Sequence, residues 1–274
     1  MKVISYSLFG YNEERKENCF IFSDYLRGLH INIRLARILY NDWVIRVHVD
    51  QNTFDGLNHI FKELPIQVVV CKNAPLTKAM LWRMMPIFDE NVTHTLCRDL
   101  DSPLTFRERQ AVEQWLYNGK VCHAITDSIS HNIPLMGGMI GFNHYFKDYA
   151  KFQTWDKMMA RDMRWDKKGV DQLFLQKYIY PFFAKHGEDS ITQHYVLGMP
   201  NTFLSDYYDT IADITIPVDN EFRNTNDLCG HIGASGYYST PMNYWLKKYS
   251  YLFEDLNEVE KKHKDIYYWQ NESF

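Results

Sequence analysis

The sequence predicts an α/β domain built on a central, mostly parallel mixed sheet with helices on both faces. Short runs rich in valine and isoleucine alternate along the chain with longer amphipathic segments, a pattern typical of strand–helix–strand units. Right-handed crossovers bring the carboxyl ends of such strands to one edge, where ligands bind in open α/β sheets. Gly10, Asp50, Asn73 and Asp99 each follow a predicted strand and should lie on that edge.

The first half of the chain supplies most of this alternation. Helical periodicity is clearest where Leu26, Leu29, Ile33 and Ala36 recur on one face. The strand-like runs are apolar and β-branched, as in a buried sheet. In chain order the predicted elements are strand 2–8, loop 11–18, helix 24–40, strand 43–49, helix 54–64, strand 66–71, helix 76–88 and strand 92–97.

The second half is less regular. Thr105, followed three residues later by Glu108, forms a capping-box pattern that opens a helix to about residue 115. We expect the glycine-rich run 137–141 to follow a turn, and Pro181 to end a helix. The remaining predicted elements are strand 121–126, helices 145–161 and 171–180, strands 192–197 and 211–216, a glycine-rich loop 230–236 and a charged helical tail 242–264.

Composition narrows the class of protein. The 274 residues are 46% hydrophobic, enough for one large core, and the net charge of −4 argues against a nucleic-acid partner. None of the five cysteines belongs to a C-x-x-C pair, and Cys71, Cys97 and Cys122 lie in or beside apolar runs, which favours reduced, buried thiols of an intracellular protein. No run reaches the roughly eighteen apolar residues of a spanning helix, so we expect a soluble, cytoplasmic protein with no membrane span.

An acidic pair stands at the predicted ligand edge. Asp99 and Asp101 lie two residues apart at the end of a strand, so their carboxylates should point to the same side. Two hard oxygen ligands suit Mg²⁺ or Mn²⁺, which complete their shells with phosphate oxygens and water. The alternative is an ordinary acidic turn after a strand.

The surroundings of this pair resemble those in GT-A glycosyltransferases. The runs LWRMMP at 81–86 and VTHTLCRDLDS at 92–102 are similar to an arginine-bearing helix followed by a strand that ends in a metal-binding D-x-D. Further along, the helix at 107–108, Trp115, Asp127, His131 and the turn 137–138 also fit. The likeness covers about residues 1–240. The order and spacing of these residues are similar to those in the small glycosyltransferases of chlorella viruses.

The resemblance implies one GT-A-like domain over residues 1–274, with a nucleotide-binding half at about 1–101, a sugar and acceptor half at about 102–241 and a helical tail at 242–274. It also implies a metal-dependent transferase that moves a hexose from a nucleotide sugar to a glycan acceptor. The implied donor is UDP-linked, with UDP-glucose as the leading candidate. The implied cofactor is Mn²⁺ or Mg²⁺, and the implied outcome is retention of the anomeric configuration.

The resemblance also assigns a donor site, residue by residue. The residues implied to bind the donor are Ser7, Leu8, Phe9 and Gly10 at the nucleoside, Arg83 at the pyrophosphate or sugar, Asp99 at ribose, sugar or metal, and Asp127 and Gly138 at the sugar.

Metal and catalytic roles complete the implied site. Asp99, Asp101 and His231 are the implied metal ligands, although the Lys-Pro-Trp that follows such a histidine in relatives is missing here. Asp171 and Gln172 match a pair near the reacting centre of retaining members.

The same residues also fit simpler interpretations. Arg83 also fits a surface arginine, Asp127 a strand-end cap, Asp171 a helix N-cap and His231 an exposed loop histidine.

Two other classes of protein are weaker alternatives. A haloacid-dehalogenase-like phosphatase also uses D-x-D, but its first aspartate is usually near the N-terminus and followed by Thr or Val, whereas Ser102-Pro103 follows the pair here. A non-catalytic nucleotide-sugar-binding module on the same fold is the other. The sequence contains neither G-x-G-x-x-G nor G-x-x-x-x-G-K-[ST], which disfavours dehydrogenases and P-loop proteins.

Overall fold

A computed structural model describes residues 1–11, 19–71, 76–126, 135–149, 151, 154–161, 169–186, 190–196, 213–216, 255, 258 and 262. Within these residues, eight strands form one sheet: β1 (Lys2–Leu8), β2 (Trp43–Val49), β3 (Gln67–Val70), β4 (His94–Arg98), β5 (Cys122–Thr126), β6 (Met139–Asn143), β7 (Ile191–Val196) and β8 (Asp213–Ile216).

The strands run in the order β3-β2-β1-β4-β6-β5-β7-β8. All neighbouring pairs among the described strands are parallel except those of β6, which runs antiparallel to both β4 and β5. The predicted fold class, an α/β domain with a mostly parallel mixed sheet, is confirmed. The register pairs Lys2 of β1 with Trp43 of β2 and with His94 of β4, so the carboxyl ends of these three strands meet at one edge.

Helical segments join the strands. They are α1 (Cys19–Leu39), α2 (Gln51–Phe61), α3 (Leu76–Ala79), a 3₁₀ helix (Trp82–Phe88), α4 (Phe106–Asn118), α5 (Phe146–Tyr149), α6 (Trp155–Met159), α7 (Val170–Phe174), a π-helical turn (Leu175–Ile179) and α8 (Tyr180–His186).

The hydrophobic core forms a layer on each face of the sheet. One layer packs α1, α2 and α4 against strand residues such as Tyr6 and Leu96. The other packs the 3₁₀ helix and α5–α8 against residues such as Cys97 and Phe142. Leu96 and Cys97 enter opposite layers because successive strand side chains alternate between the two faces. The prediction of helices on both faces is therefore confirmed.

In the first half, the predicted strands 2–8 and 43–49 coincide with β1 and β2. The single α-helix predicted for 76–88 is wrong, because the chain forms the short α3 and then a separate 3₁₀ helix. Pro86 lies inside the second segment and has no N–H to donate, which disfavours a continuous α-helix. Residues 12–18 of the predicted loop 11–18 and Asn73 fall outside the described residues.

In the second half, the sequence prediction places no strand in the run 137–141, whereas the residues from Met139 onward belong to β6. The predicted stop at Pro181 is wrong, since helical structure continues to His186. Pro181 follows directly on the π-helical turn, in which the Tyr180 amide donates to the Leu175 carbonyl, so the i→i−4 hydrogen-bond pattern that a proline would interrupt is already altered there. Helix 145–161 is replaced by the separate α5 and α6.

The capping box at the start of α4 forms only in part. Thr105 caps the helix by accepting the Glu108 amide at 3.1 Å. The Glu108 carboxylate, however, accepts from Arg98 on the sheet. The sequence pattern predicted that the Glu108 side chain would bond locally, but it pairs instead with the buried guanidinium of Arg98.

Two further predictions can be compared with the described residues. Cys71, Cys97 and Cys122 are free thiols, as predicted, but only Cys97 and Cys122 are buried, whereas Cys71 is partly exposed. Among the helices described, none combines the length and apolar character needed to cross a bilayer. Loop 230–236 lies outside the described residues, as does the predicted tail 242–264 except for residues 255, 258 and 262.

Candidate functional site

A cleft of about 530 Å³ opens where β1 and β4 end. The parallel register of these neighbouring strands brings their carboxyl ends, 90 residues apart in sequence, to the same place. The residues that line the cleft are Ser7, Leu8, Phe9, Gly10, Tyr25, Met80, Arg83, Asp99, Leu100, Asp101, Gly169, Asp171 and Gln172.

The loop after β1 is tied to the start of α2. The Gly10 amide donates to Asp50 Oδ2 at 2.8 Å, and the Tyr11 amide donates to Thr53 Oγ1 at 3.1 Å. Asp50 also caps α2 by accepting the Thr53 amide at 3.0 Å. Gly10 has φ of 86°, which favours glycine at this position. These bonds hold one wall of the cleft in a defined conformation.

Arg83 is the central cation of the site. Its side chain is buried, and its guanidinium donates to Asp99 Oδ1 and, at 3.0 Å, to Asp171 Oδ2. Burial alone would lower the pKa of Arg83, but the Asp99 and Asp171 carboxylates raise it above its ordinary value. The guanidinium therefore stays charged and joins the 3₁₀ helix, the end of β4 and α7.

Two glycines make room for this cluster. A Cβ atom on Gly138 would overlap the Asp99 carboxylate. One on Gly137 would lie 2.5 Å from an Arg83 guanidinium nitrogen and 2.8 Å from Asp171 Oδ2. The turn before β6 thus packs its backbone directly against the charged groups, so any side chain at position 138 would displace Asp99.

The acidic residues of the cleft fit a divalent cation that shares its shell with a ligand. Asp99 keeps 46% of its side chain exposed despite its ion pair, and Asp101 lines the same cleft. The described lining residues include one guanidinium, that of Arg83, and three carboxylates, those of Asp99, Asp101 and Asp171. Within the described residues, no group of three or more His, Cys, Asp or Glu suited to a metal occurs.

Most of the predicted site residues come together. Those that line the cleft are Ser7, Leu8, Phe9, Gly10, Arg83, Asp99, Asp101, Asp171 and Gln172. Gly138 lies against the Asp99 carboxylate, as described above. Asp127 and His231 lie outside the described residues.

Two simpler interpretations are wrong. Arg83 is not a surface arginine, because it is buried between two carboxylates. Asp171 is not an N-cap, because Gly169 holds that position of α7 and the Asp171 carboxylate binds Arg83.

Sequence reasoning missed four residues that line the cleft. They are Tyr25, Met80, Leu100 and Gly169. Gly169 offered a signal, because a glycine two residues before a predicted catalytic aspartate indicates an unusual backbone, and its φ is 81°. Tyr25 and Met80 lie in or next to helices, and their approach to the cleft depends on how those helices dock.

No family model matches the chain, and no curated protein matches it. Among solved structures, the chain is similar to one described as a nucleotide-diphospho-sugar transferase from Desulfovibrio desulfuricans, with 15% identity, a TM-score of 0.43 and coverage of 71% of this chain and 80% of that one.

Two further solved structures are similar at the same level. One is described as a glucose-1-phosphate thymidylyltransferase from Bacillus anthracis, with 10% identity, a TM-score of 0.42 and coverage of 79% and 87%. The other is a 4-diphosphocytidyl-2C-methyl-D-erythritol synthase from Anaerococcus prevotii, with 9% identity, a TM-score of 0.37 and coverage of 70% and 86%. Because each of these TM-scores lies below 0.5, these likenesses do not indicate a function for this chain.

Proposed function

We propose that this protein is a metal-dependent glycosyltransferase that moves a hexose from a nucleotide sugar to a glycan acceptor. The observation that carries the proposal is the Arg83 guanidinium held between Asp99 and Asp171 in the cleft that Asp101 also lines. A buried cation with surplus carboxylates at a sheet edge suits a ligand that brings both phosphates and sugar hydroxyls.

The donor would lie along the cleft from β1 towards α7. The backbone of residues 7–10 would face the nucleoside, with Phe9 supported by an edge contact to Trp82 at 6.0 Å between ring centroids. Asp99 and Asp101 would hold Mn²⁺ or Mg²⁺, with His231 as a third ligand. The bound ion would stabilise the negative charge that develops on the departing nucleoside diphosphate.

Sugar recognition would fall to the charged cluster. Asp99 and Asp171, oriented by Arg83, would accept hydrogen bonds from sugar hydroxyls, and the Gly138 backbone and Asp127 would line the same subsite. Carboxylates at this position also favour the positive charge that develops on the sugar during transfer. Gln172, next to Asp171 on α7, would place a neutral amide beside the reacting carbon.

We further propose a UDP-hexose donor, with UDP-glucose as the leading candidate, and retention of configuration. Retention is proposed because Asp171 and Gln172, which resemble the pair near the reacting centre of retaining members, both line the cleft. Proton NMR of the product's anomeric signal tests this, and an inverted coupling pattern would contradict it. Tight binding of GDP- or CMP-sugars with UDP ignored would contradict the donor class.

The decisive experiment measures UDP affinity by calorimetry with Mn²⁺ and with chelator. The parent protein should bind UDP much more tightly with Mn²⁺, and Asp101→Ala should remove that difference while keeping the fold. Asp148→Ala, which alters an exposed aspartate of α5, is the matched control and should behave like the parent. Equal UDP affinity with and without metal in the parent protein would overturn the proposal.

Two assays separate the alternatives. Hydrolysis of p-nitrophenyl phosphate would indicate a phosphatase. The ion pair with Arg83 does not favour Asp99 as the nucleophile of such an enzyme. UDP-glucose binding without any transfer or slow donor hydrolysis would indicate a non-catalytic binding module.

A further inference from the structure

Asn32 is a fully buried polar residue in the middle of α1, with 0% exposure. Its Nδ2 donates to the carbonyls of Leu100 and Ser102, each at 3.2 Å, and its Oδ1 accepts the Leu104 amide at 3.0 Å. A single side chain therefore satisfies three backbone groups of the segment that follows β4, about 70 residues away in sequence.

These bonds lie on both sides of Asp101. The Leu100 carbonyl belongs to the peptide that precedes Asp101, and the Ser102 carbonyl lies one residue beyond it. The Ser102 amide also donates to the Asp99 carbonyl at 3.3 Å, which closes a turn around residues 99–102. Asn32 thus stabilises the backbone of a turn whose two aspartates, Asp99 and Asp101, line the cleft.

The chemistry of the contact requires an amide. Two carbonyls need N–H donors and one backbone N–H needs an acceptor, and the Asn side chain offers both in a fixed plane. Aspartate would present an oxygen to two carbonyls, and leucine would leave all three buried groups without a partner. Asn32 lies among apolar residues of α1, so its polar side chain bonds to the backbone of residues 100–104 and not to solvent.

We propose that Asn32 is a positioning residue that sets the backbone conformation around Asp101 and thereby the affinity of the cleft for a divalent cation with its nucleotide. The inference rests on the proposed function for its cation and nucleotide. Asn32 touches neither ligand, and it acts through the turn 99–102. Partners of this kind typically change metal affinity or activity by about ten- to a hundredfold when removed.

Asn143 offers a matched control with the same chemistry in a different place. Its Nδ2 donates to Lys120 and Gly119 carbonyls at 3.1 and 3.5 Å, and its Oδ1 accepts the Tyr145 amide at 3.0 Å. It is also buried, but it pairs with His94 at the start of β4, on the edge opposite the cleft. Removing either side chain should lower the free energy of unfolding by a similar amount. Only the removal of Asn32 should change the cleft.

The experiment compares Asn32→Ala with Asn143→Ala in the full chain. Mn²⁺-dependent UDP affinity should fall at least about tenfold in Asn32→Ala and stay unchanged in Asn143→Ala, with comparable decreases in melting temperature. Hydrogen exchange should accelerate at the Leu104 amide in the first variant alone. If Asn32→Ala does not fold, Asn32→Ser and Asn143→Ser replace the pair, because serine keeps a small polar group.

The outcomes separate this inference from the proposed function. Parent-like UDP affinity in a folded Asn32→Ala protein, or an equal loss in both variants, overturns the positioning role and leaves the proposed function intact. Absence of Mn²⁺-dependent UDP binding in the parent overturns the proposed function and with it the role of Asn32 in cation affinity. In that case, faster exchange at Leu104 in Asn32→Ala alone still supports Asn32 as the residue that holds the turn.

Discussion

Two buried arginines lie on opposite sides of the sheet and have different surroundings. Arg83 contacts two carboxylates and faces the cleft, whereas Arg98 is enclosed in the core with Glu108 at 2.6 Å. Arg98 also donates to the Cys97 and Ile140 carbonyls at 2.8 Å. We call these the open cluster (Arg83, Asp99, Asp171) and the closed cluster (Arg98, Glu108, Tyr40).

The difference between them lies in charge balance and exposure. In the closed cluster one arginine meets one carboxylate, both side chains are 3% exposed, and Tyr40 donates to Glu108 at 3.3 Å. In the open cluster one arginine meets two carboxylates, and Asp99 is half-exposed. A balanced, enclosed pair can only support the fold, but a cluster with surplus negative charge at a cleft can still bind a ligand.

The largest expected effect concerns the closed cluster. Glu108→Ala leaves Arg98 charged and buried without its carboxylate, so the free energy of unfolding should fall by about 3–5 kcal/mol. The matched control is Glu113→Ala on the same helix, whose ion pair with Arg109 at 2.9 Å is exposed on the Glu113 side. That variant should lose less than about 0.5 kcal/mol in urea unfolding. Similar losses in the two variants would remove the distinction between an enclosed and an exposed pair.

The next effect concerns the open cluster. Gly138→Ala introduces a Cβ that overlaps the Asp99 carboxylate, so Mn²⁺-dependent UDP affinity should fall about ten- to a hundredfold, or about 1.4–2.7 kcal/mol. Gly119→Ala is the control, because that glycine has φ of 67° and open space around it. It should cost about 1–2 kcal/mol of stability and leave binding unchanged. Unchanged UDP binding in Gly138→Ala would show that the position of Asp99 is not critical.

The smallest effect is the response of two buried tyrosines, Tyr40 of the closed cluster and Tyr6, to alkaline pH. Burial, followed by the Glu108 charge, raises the pKa of both Tyr6 and Tyr40 well above the ordinary value. A raised folded pKa means that the tyrosines stabilise the fold fully below about pH 10 and that this stability is lost as pH rises further. Each tyrosine should contribute a slope of up to about 1.4 kcal/mol per pH unit.

Urea unfolding between about pH 9 and about pH 11 measures this slope. Tyr40→Phe removes one titrating group and should make the decline shallower, whereas Tyr117→Phe, at a position 92% exposed, should leave it unchanged. Equal slopes in the parent and Tyr40→Phe would show that Tyr40 is not protected from ionisation in the closed cluster.

Much of the scaffold could be predicted because its signals are local. The β-branched runs of β1 and β2 and the N-cap at Thr105 depend on residues within one turn or one strand. β6 was missed because glycine is depleted in strands. Gly141 gives Trp115 of α4 room to pack, since a Cβ there would lie only 3.1 Å from the indole. That signal appears only when strand and helix are placed together.

The sequence by itself determined the α/β alternation, the sheet edge and the acidic pair Asp99 and Asp101 that follows β4. Only the tertiary structure decided that Arg83 lies between Asp99 and Asp171, which are 16 and 88 residues away, and that Asn32 reaches the turn 99–102. The physical reason is range. Periodicity and capping are satisfied within a few residues, whereas a buried charge or amide finds its partner only after helices from distant parts of the chain pack onto the sheet.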